Sequence, residues 1–410
     1  MPETKPEMSS PDTGKGGESR AEARQGSRAP TEPPSSAVAA DDARADGQPL
    51  VVDERVLQML DGASSPRLAL TPEMDEQRVI AGDRRRHLEA RLEAYQEIID
   101  SEVGDTTLAR ARNLERDVNL RQIFLKFEGG NPTGTQKDRI AFGQCHDAIR
   151  RGFDGITVAT CGNFGAALAL AAWLGGLRCV ACIPENYHTR RVAEMEGYGA
   201  EIVRVPRDYE GTVESSRELA VREELYDANP GGANTALQLK KYGQIAFEIY
   251  DELRDAPFAC AVPVSNGTTL AGIFKGFQSL DRRGKTSRVP RMVAGSSFRK
   301  NPIVQAFAKD LAHCADLAPE SIRETAVNEP LINWRSSDGD EALAAIRLSN
   351  GWADDASDRE LLACARMLRE REGLHVLPAS TAGLVALLNR HKREPLPGDR
   401  YVCVLTGRKS

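Results

Sequence analysis

Residues 128–138 read EGGNPTGTQKD and connect a predicted strand to a predicted helix. The strand is the apolar run Ile123–Phe127, and the helix, residues 136–150, has apolar residues at helical spacing. Gly and Pro hold such a loop in a fixed turn. Lys137 stands at the start of the helix, where the positive end of the helix dipole lowers the pKa of an amine. A lysine of lowered pKa is suited to nucleophilic or Schiff-base chemistry, although an ordinary surface lysine in a glycine-rich loop gives the same pattern.

The rest of the chain repeats this strand-to-helix order. From about Arg121 onward, short apolar runs alternate with segments of helical spacing, and strands are predicted at 156–159, 177–183 and 260–264. Such alternation is typical of parallel sheets joined by right-handed helical crossovers. The sequence therefore predicts an α/β fold.

The N-terminal part has a different composition. Residues 1–50 hold seven of the 22 prolines and no aromatic residue. A segment of this kind cannot bury enough apolar surface to offset the entropy lost on ordering, so we predict a disordered tail. Residues 51–118 are predicted to be mostly helical, with helices at 51–59 and Asp75–Ile99.

Composition excludes several classes of function. The 410 residues include 54 Lys+Arg and 60 Asp+Glu, a net charge of −6, which lacks the basic excess of a nucleic-acid-binding protein. The sequence contains no apolar run of about 18 residues, so no membrane span is predicted. Its N-terminus also lacks the apolar region that a secretory signal peptide contains. The eight cysteines form no dense disulfide framework, and the six histidines lack metal-site spacing. We therefore expect a cytoplasmic protein without a metal, nucleic-acid or membrane partner.

Two further strand ends carry loops suited to binding anions. Residues 159–165 read ATCGNFG before an Ala-rich helix, whose free N–H groups are suited to a carboxylate or phosphate. This loop is also close to a dinucleotide-binding fingerprint, with Thr160 in place of the first glycine. Residues 262–272 read VPVSNGTTLAG, and the amides and hydroxyls of Ser265–Thr269 are suited to a phosphate monoester. A plain Asn-Gly turn is the alternative there.

In this order, the loops resemble those of the fold-type-II pyridoxal-phosphate enzymes, the tryptophan synthase β-like group, and within it the threonine-synthase branch. NPTGTQKDR at 131–139 is similar to that branch's Asn-Pro-Thr-Gly-Ser-Phe-Lys-Asp-Arg. GDTTL at 104–108 resembles its Gly-x-Thr-Pro-Leu, and PASTAG at 378–383 its Pro-Ala-Ser-x-Ala-Gly. The similarity spans roughly residues 100 to 410.

The resemblance implies two parallel-sheet domains with pyridoxal 5'-phosphate at their interface. Residues 130–232 would form the smaller α/β domain and residues 233–410 the larger one, to which the helical segment 51–129 contributes. The fold is typically dimeric, so a homodimer is expected.

The resemblance also assigns roles to individual residues. Lys137 would form the internal aldimine with the cofactor, Asn163 would bind the phenolic oxygen of its ring, and Thr406 would meet the pyridine nitrogen. The cofactor phosphate would be held by Ser265, Asn266, Gly267, Thr268 and Thr269. The carboxylate of a small amino-acid substrate would be bound by Thr160, Cys161 and Gly162.

The hydroxyl of Thr406 bears on the reaction type. Unlike a carboxylate, a hydroxyl cannot keep the pyridine nitrogen protonated, so the cofactor becomes a weaker electron sink. This favours elimination or replacement at the β- or γ-carbon over transamination, with the Lys137 amine moving the α-proton.

The loop at 160–164 departs from the threonine-synthase pattern at three of its five positions. The chain has Thr-Cys-Gly-Asn-Phe at 160–164 where that branch has Ser-Thr-Gly-Asn-Thr, which argues against a phosphohomoserine substrate. The Cys161 thiol is either a small replacement for serine or a nucleophile beside the cofactor. Segments 296–302 and 328–334 resemble a lyase/thiolase group that includes the β-subunit of 2-amino-4-ketopentanoate thiolase. That resemblance implies coenzyme A-dependent carbon–carbon cleavage and a small partner subunit.

Two other classes of function stay open at this point. One is a non-catalytic regulator that binds pyridoxal phosphate or an amino acid, and the other is a dinucleotide-binding enzyme built on the loop at 159–165. The second leaves the lysine loop unexplained.

Overall fold

The structure, a computed structural model, describes residues 70–187 and 189–409. The predicted disordered tail at 1–50 and the predicted helix at 51–59 lie outside the described residues. Within the described ranges, no helix is both long enough and apolar enough to cross a membrane.

The described residues form thirteen α-helices and ten β-strands. In chain order these are α1 (Pro72–Gly82), α2 (Leu88–Glu102), β1 (Leu108–Arg110), α3 (Arg112–Val118), β2 (Ile123–Phe127), α4 (Lys137–Arg150), β3 (Gly155–Ala159), α5 (Asn163–Gly175), β4 (Arg178–Pro184), α6 (Val192–Gly197), β5 (Glu201–Val205), α7 (Tyr209–Arg222), β6 (Tyr226–Asp227), α8 (Thr235–Leu253), β7 (Ala259–Pro263), α9 (Thr268–Arg282), β8 (Arg291–Ser297), α10 (Pro302–Ala308), α11 (Gly339–Leu348), β9 (Trp352–Ala356), α12 (Asp358–Glu372), α13 (Ala382–Arg393) and β10 (Tyr401–Leu405).

The strands form two sheets. One has six strands in the order β1-β2-β10-β7-β8-β9, and all its pairs are parallel except β1 with β2. The other has four parallel strands in the order β5-β4-β3-β6. The predicted α/β fold with parallel sheets is confirmed. Strands β3 to β6 lie within 130–232 and β7 to β10 within 233–410, while the domain boundaries themselves stay a prediction.

Helix α5 lies in the centre of the core. Its sequence, NFGAALALAAWLG, is rich in alanine and leucine, which favour helix, and nearly every side chain is buried. Because alanine side chains are short, α4 and β4 pack closely against it. The buried hydroxyl of Tyr95 in α2 donates a hydrogen bond of 2.8 Å to the carbonyl of Ala171. The N-terminal helices are therefore attached to the core through α5.

The helix predicted over Asp75–Ile99 is two helices in the structure, α1 and α2. Helix α1 ends at Gly82, which is close to Gly176 at the end of α5. The Asp83 carboxylate then accepts the backbone N–H of Arg85, which closes a turn that replaces the helical hydrogen bonds. Close packing and local capping thus override helical spacing at this point.

A network of four charges, three of them buried, lies beneath the lysine loop. The Arg139 guanidinium makes two hydrogen bonds to Glu128, of 2.6 and 2.8 Å, and two of the same lengths to Glu248. Lys126 Nζ also donates to the Glu248 carboxylate. Burial by itself would raise the pKa of Glu248, but the hydrogen bonds and charges of Arg139 and Lys126 lower it to about 2. Two cations and two anions therefore compensate each other.

This network joins elements that are far apart in the chain. Lys126 belongs to β2, Arg139 to α4 and Glu248 to α8. The Thr106 hydroxyl donates to Glu128 at 2.8 Å, and the Asn131 amide donates to the same carboxylate at 3.1 Å. The GDTTL segment and the lysine loop are thus tied to one set of charges.

We expect Glu248→Ala to lower the free energy of unfolding by about 3 kcal/mol, because Arg139 and Lys126 would lose their shared counter-charge in a buried environment. Equilibrium denaturation measures the change. Glu252→Ala on the exposed side of the same helix is the matched control and should change it by less than about 0.5 kcal/mol. Equal effects of the two substitutions would contradict a structural role for the network.

Candidate functional site

A cavity of about 1240 Å³, including its open mouth, lies at the carboxyl ends of β2, β3, β7 and β10. Ligands of open α/β sheets bind at such strand ends. All eleven site residues predicted from the sequence contribute to its lining: Lys137, Thr160, Cys161, Gly162, Asn163, Ser265, Asn266, Gly267, Thr268, Thr269 and Thr406. Loops from both sheets therefore face one space.

Lys137 is the first residue of α4 and its side chain reaches the cavity. Burial lowers the pKa of Lys137 to about 8, and the negative charge of Asp338 opposes part of this fall. Its Nζ lies 5.4 Å from the centroid of the Phe164 ring. An apolar neighbour and a lowered pKa distinguish this amine from an ordinary surface lysine.

Asp138 holds the loop that precedes Lys137. Its fully buried carboxylate accepts hydrogen bonds from the backbone N–H of Thr133, at 2.9 Å, and from the Thr133 hydroxyl, at 2.8 Å. Burial raises the pKa of Asp138 to about 7, although these hydrogen bonds oppose the rise. The start of α4 is therefore anchored next to Lys137, by Asp138 and by Arg139.

The loop at 265–269 presents free hydrogen-bond donors. Among the described residues, none accepts a hydrogen bond from the backbone N–H groups of Ser265, Asn266 or Gly267. The carbonyls of Ser265 and Asn266 are held from behind, at 3.0 Å each, by the Asn301 amide and the Asp338 N–H. The carbonyls face away and the N–H groups are left to donate, an arrangement that fits an anion.

Gly267 is required in this loop. Its φ is +93°, and an added Cβ would lie 2.7 Å from the Asp338 carbonyl oxygen. A side chain would push the loop away from its support and disturb the N–H groups.

Tyr242 adds a donor on the same side of the cavity. Its ring is fully buried, and its hydroxyl lies beside the Thr269 side chain without a hydrogen bond of normal geometry to any described residue. A buried hydroxyl left without a partner is costly. A phosphate oxygen bound by the 265–269 loop would supply that partner, so the residues present fit a phosphate monoester.

Asn163 is oriented by Arg191, a residue that the sequence did not indicate. Arg191 Nη1 donates to Asn163 Oδ1 at 2.8 Å, and Nη2 donates to the Thr133 carbonyl at 2.8 Å. Glu194 holds the guanidinium through two further hydrogen bonds, of 2.9 and 3.0 Å. Because the amide oxygen is occupied by a cation, the Asn163 NH₂ group is left to donate to a ligand in the cavity.

Thr406 follows β10, and its hydroxyl has a neutral hydrogen-bond partner. Its hydroxyl donates to Ser380 Oγ at 3.2 Å, and the Ser380 hydroxyl donates to the Gly407 carbonyl at 3.2 Å. The acidic side chains of the lining are Glu324 and Glu329, which belong to a different segment. Thr406 therefore offers a ligand a hydroxyl rather than a carboxylate.

The loop at 160–162 has one side chain that shapes the turn and one free backbone donor. Thr160 is 2% exposed, and its hydroxyl oxygen accepts the N–H groups of Gly162 and Gly165, at 3.0 and 2.9 Å. The N–H of Cys161 has no acceptor among the described residues. The loop can therefore bind a carboxylate through its backbone while Thr160 maintains its shape.

Burial raises the pKa of the Cys161 thiol well above its ordinary value, and the charges of Glu329, Glu324 and Glu210 raise it further. The reactive form of a cysteine is the thiolate, which this environment disfavours. Of the two interpretations of Cys161, the structure favours a small replacement for serine over a nucleophile.

Sequence reasoning missed five groups that complete the site: Arg191, Tyr242, Ser380, Glu324 and Glu329. Arg191 acts on a residue 28 positions away, and Tyr242 lies in a helix interior, so no local pattern marks either one. Ser380 lies in the segment 378–383 and Glu329 in the segment 328–334, both of which resemble family segments. That resemblance is the local signal that could have indicated these two residues.

A sequence profile described as "Pyridoxal-phosphate dependent enzyme" matches residues 99–407. Threonine synthase from Methanocaldococcus jannaschii is 30% identical over 307 residues, which cover 74% of each protein. Threonine synthase from a Synechocystis species is 32% identical over 309 residues, which cover 74% of this chain and 76% of that relative.

Solved structures have the same fold at lower identity. Maize serine racemase superposes with a TM-score of 0.66 at 18% identity, over 78% of this chain and 92% of its own. The processed form of threonine deaminase isoform 2 from Solanum lycopersicum superposes with a TM-score of 0.63 at 14% identity, over 81% of this chain and 92% of its own. At these identities, the likeness concerns the fold.

We expect the Lys137 amine of the unliganded protein to react with amine reagents at half its maximal rate near pH 8, because a lysine is nucleophilic only when deprotonated. Reductive methylation across a pH series, followed by peptide mass spectrometry, measures the profile, and exposed Lys285 is the internal control. A midpoint near the ordinary lysine value of 10.5 would contradict the apolar environment described for this amine.

Proposed function

Since the chain belongs to the family of pyridoxal-phosphate dependent enzymes, we propose that the cavity is its active site and that Lys137 binds the cofactor covalently. The resemblance found in the sequence is confirmed at the level of the family and the fold type. Pyridoxal 5'-phosphate is the cofactor, and the enzyme is of the lyase or transferase type, acting by elimination or replacement at the β- or γ-carbon.

One observation carries the assignment to this cavity. A partly buried amine whose pKa is about 8 faces the same space as a loop with three backbone N–H groups for which no described residue is the acceptor. These are the two features by which a protein holds an aldehyde that also carries a phosphate. Asn163, Thr406 and Tyr242, which line the same cavity, offer further hydrogen-bonding groups to the cofactor.

The cofactor would be held at four points. Lys137 would hold its carbonyl carbon, and the loop Ser265–Thr269 with the Tyr242 hydroxyl would bind its phosphate. The Asn163 NH₂ group, oriented by Arg191, would donate to the phenolic oxygen of the ring. Thr406 would offer its hydroxyl to the ring nitrogen.

When bound, pyridoxal phosphate stabilises negative charge on the α-carbon of an amino acid. The protein's share of the chemistry is to orient the amino acid and move its α-proton. The Cys161 N–H and its loop bind the substrate carboxylate. Lys137 Nζ, once free of the cofactor, is a base whose pKa of about 8 suits proton transfer near neutral pH.

Thr406 directs the outcome of the reaction. A hydroxyl at this position does not hold a proton on the ring nitrogen, so negative charge is relieved by loss of a leaving group from the substrate. Elimination or replacement is therefore favoured over transamination.

The substrate class, the oligomeric state and the cellular location are also part of this proposal. We propose a small amino acid as the substrate, a homodimer as the assembly and the cytoplasm as the location, all from the resemblance. Light scattering on the purified protein tests the assembly.

We expect Lys137→Ala to abolish both the visible absorbance band of the cofactor-loaded protein and the release of the leaving group from amino acids that carry one at the β- or γ-carbon, because no amine remains to hold the cofactor. Lys241→Ala is the matched control, since Lys241 is a partly buried lysine of lowered pKa that does not line the cavity. It should keep the band and the activity. The proposal would be wrong if the Lys137 variant kept both.

Cys161→Ser separates this function from coenzyme A-dependent carbon–carbon cleavage, the second candidate. We expect the variant to bind the cofactor and to keep most of its activity, because a serine hydroxyl fills nearly the same space. Absorbance titration and product formation are measured together. Loss of activity with full cofactor binding would instead favour a thiol nucleophile and, with it, the thiolase-like alternative.

A further inference from the structure

Two glutamates line the cavity and have no part in the chemistry proposed above. Glu324 and Glu329 face the space that Cys161 also lines, and their charges reach that thiol. Glu210 adds a third negative charge near Cys161. Apart from Lys137, the described residues of the lining include no lysine, arginine or histidine. Among the described residues, the substrate side of the cavity therefore offers carboxylates and no cation, while the Lys137 amine is assigned to the cofactor.

Neither lining carboxylate is neutralised by the residues that the structure describes. Glu324 and Glu329 form no ion pair with any residue in the ranges 70–187 and 189–409. Burial raises the pKa of Glu329 to about 7, and the charge of Glu324 adds to the rise, which contact with the Tyr187 hydroxyl only partly opposes. Burial also raises the pKa of Glu324. Glu329 is half-buried and Glu324 is exposed, so the missing counter-charge matters chiefly for Glu329.

The segment that carries these glutamates is held in place. Asn328 is fully buried, its Oδ1 accepts the Thr325 N–H at 3.0 Å, and its amide donates to Asp358 at 3.2 Å. The Thr325 hydroxyl donates to the same Asp358 at 2.7 Å, and the Glu329 N–H donates to the Thr325 carbonyl at 3.1 Å. Because the backbone between the two glutamates is anchored, little backbone entropy is lost when the carboxylates bind a ligand.

Charge then discriminates between classes of substrate. A phosphorylated side chain would bring negative charge beside Glu324 and Glu329, where the described lining offers no cation to bind it, and like charges at short range repel. An ammonium group would supply the missing counter-charge and hydrogen-bond donors. The site itself is defined independently, by Lys137 and the 265–269 loop.

We infer that the substrate is an α-amino acid whose side chain carries a second amino group, and that Glu324 and Glu329 bind this group as an ammonium ion. The inference rests on the proposed function, because it assumes that the α-amino end of the substrate lies at the cofactor. Glu324 and Glu329 are thus specificity-determining residues.

The test uses the full-length, cofactor-loaded protein and the change in its visible spectrum on adding amino acids. The probes are L-2,4-diaminobutyrate and L-ornithine, each matched with the amino acid of the same carbon skeleton without the second amine, L-2-aminobutyrate and L-norvaline, and O-phospho-L-homoserine as the anionic probe. We expect at least one diamino acid to bind about tenfold or more tightly than its match, the worth of one charge-assisted hydrogen bond. The double variant Glu324→Gln/Glu329→Gln should lose this preference. Glu320→Gln, at an exposed position of the same segment outside the lining, should keep it.

Three results would overturn the inference: no preference for either diamino acid, tighter binding of O-phospho-L-homoserine, or a preference that survives in the double variant. Failure of the proposed function would give a different result, because the wild-type protein would then show no visible absorbance band from the cofactor. A band without a charge preference rejects the inference alone.

Discussion

The arrangement of the active-site cavity depends on Arg139 lying between Glu128 and Glu248. Removing these charges largely from water is unfavourable unless each finds its partners in good geometry, so β2, α4 and α8 have to assemble together. Lys137 is two residues before Arg139 on the same helix. The ion pairs that hold Arg139 in place therefore also fix the position and direction of the Lys137 amine that faces the cavity.

Burial has opposite effects on the two ends of this cavity. It lowers the pKa of Lys137 to about 8 and raises that of Glu329 to about 7, so a base and an acid approach the same range from opposite directions. At one end, the N–H groups of residues 265–267 have no acceptor among the described residues and are suited to an anion. At the other end, the carboxylates of Glu324 and Glu329 have no ion-pair partner among the described residues and are suited to a cation. The two ends of the cavity thus prefer groups of opposite charge, the cofactor phosphate at one end and a cationic substrate side chain at the other.

The loops could be predicted from the sequence, whereas their supports could not. Lys137, Asn163 and Ser265–Thr269 lie where strands end, so strand-to-helix patterns and order in the chain reveal them, and all of them line one cavity. Arg191, Tyr242 and Glu248 act on residues that are distant in the chain, the last two from within a helix and Arg191 from just before one. The helix break after Gly82 was missed for a related reason, since it depends on contact with Gly176 and not on local spacing.

The central claim is that Lys137 carries the cofactor. Reduction of the pyridoxal-phosphate-loaded protein with borohydride, followed by peptide mass spectrometry, tests it most directly. The account predicts one stable adduct, on the peptide that contains Lys137. An unmodified Lys137 peptide, or an adduct on another lysine, would contradict it.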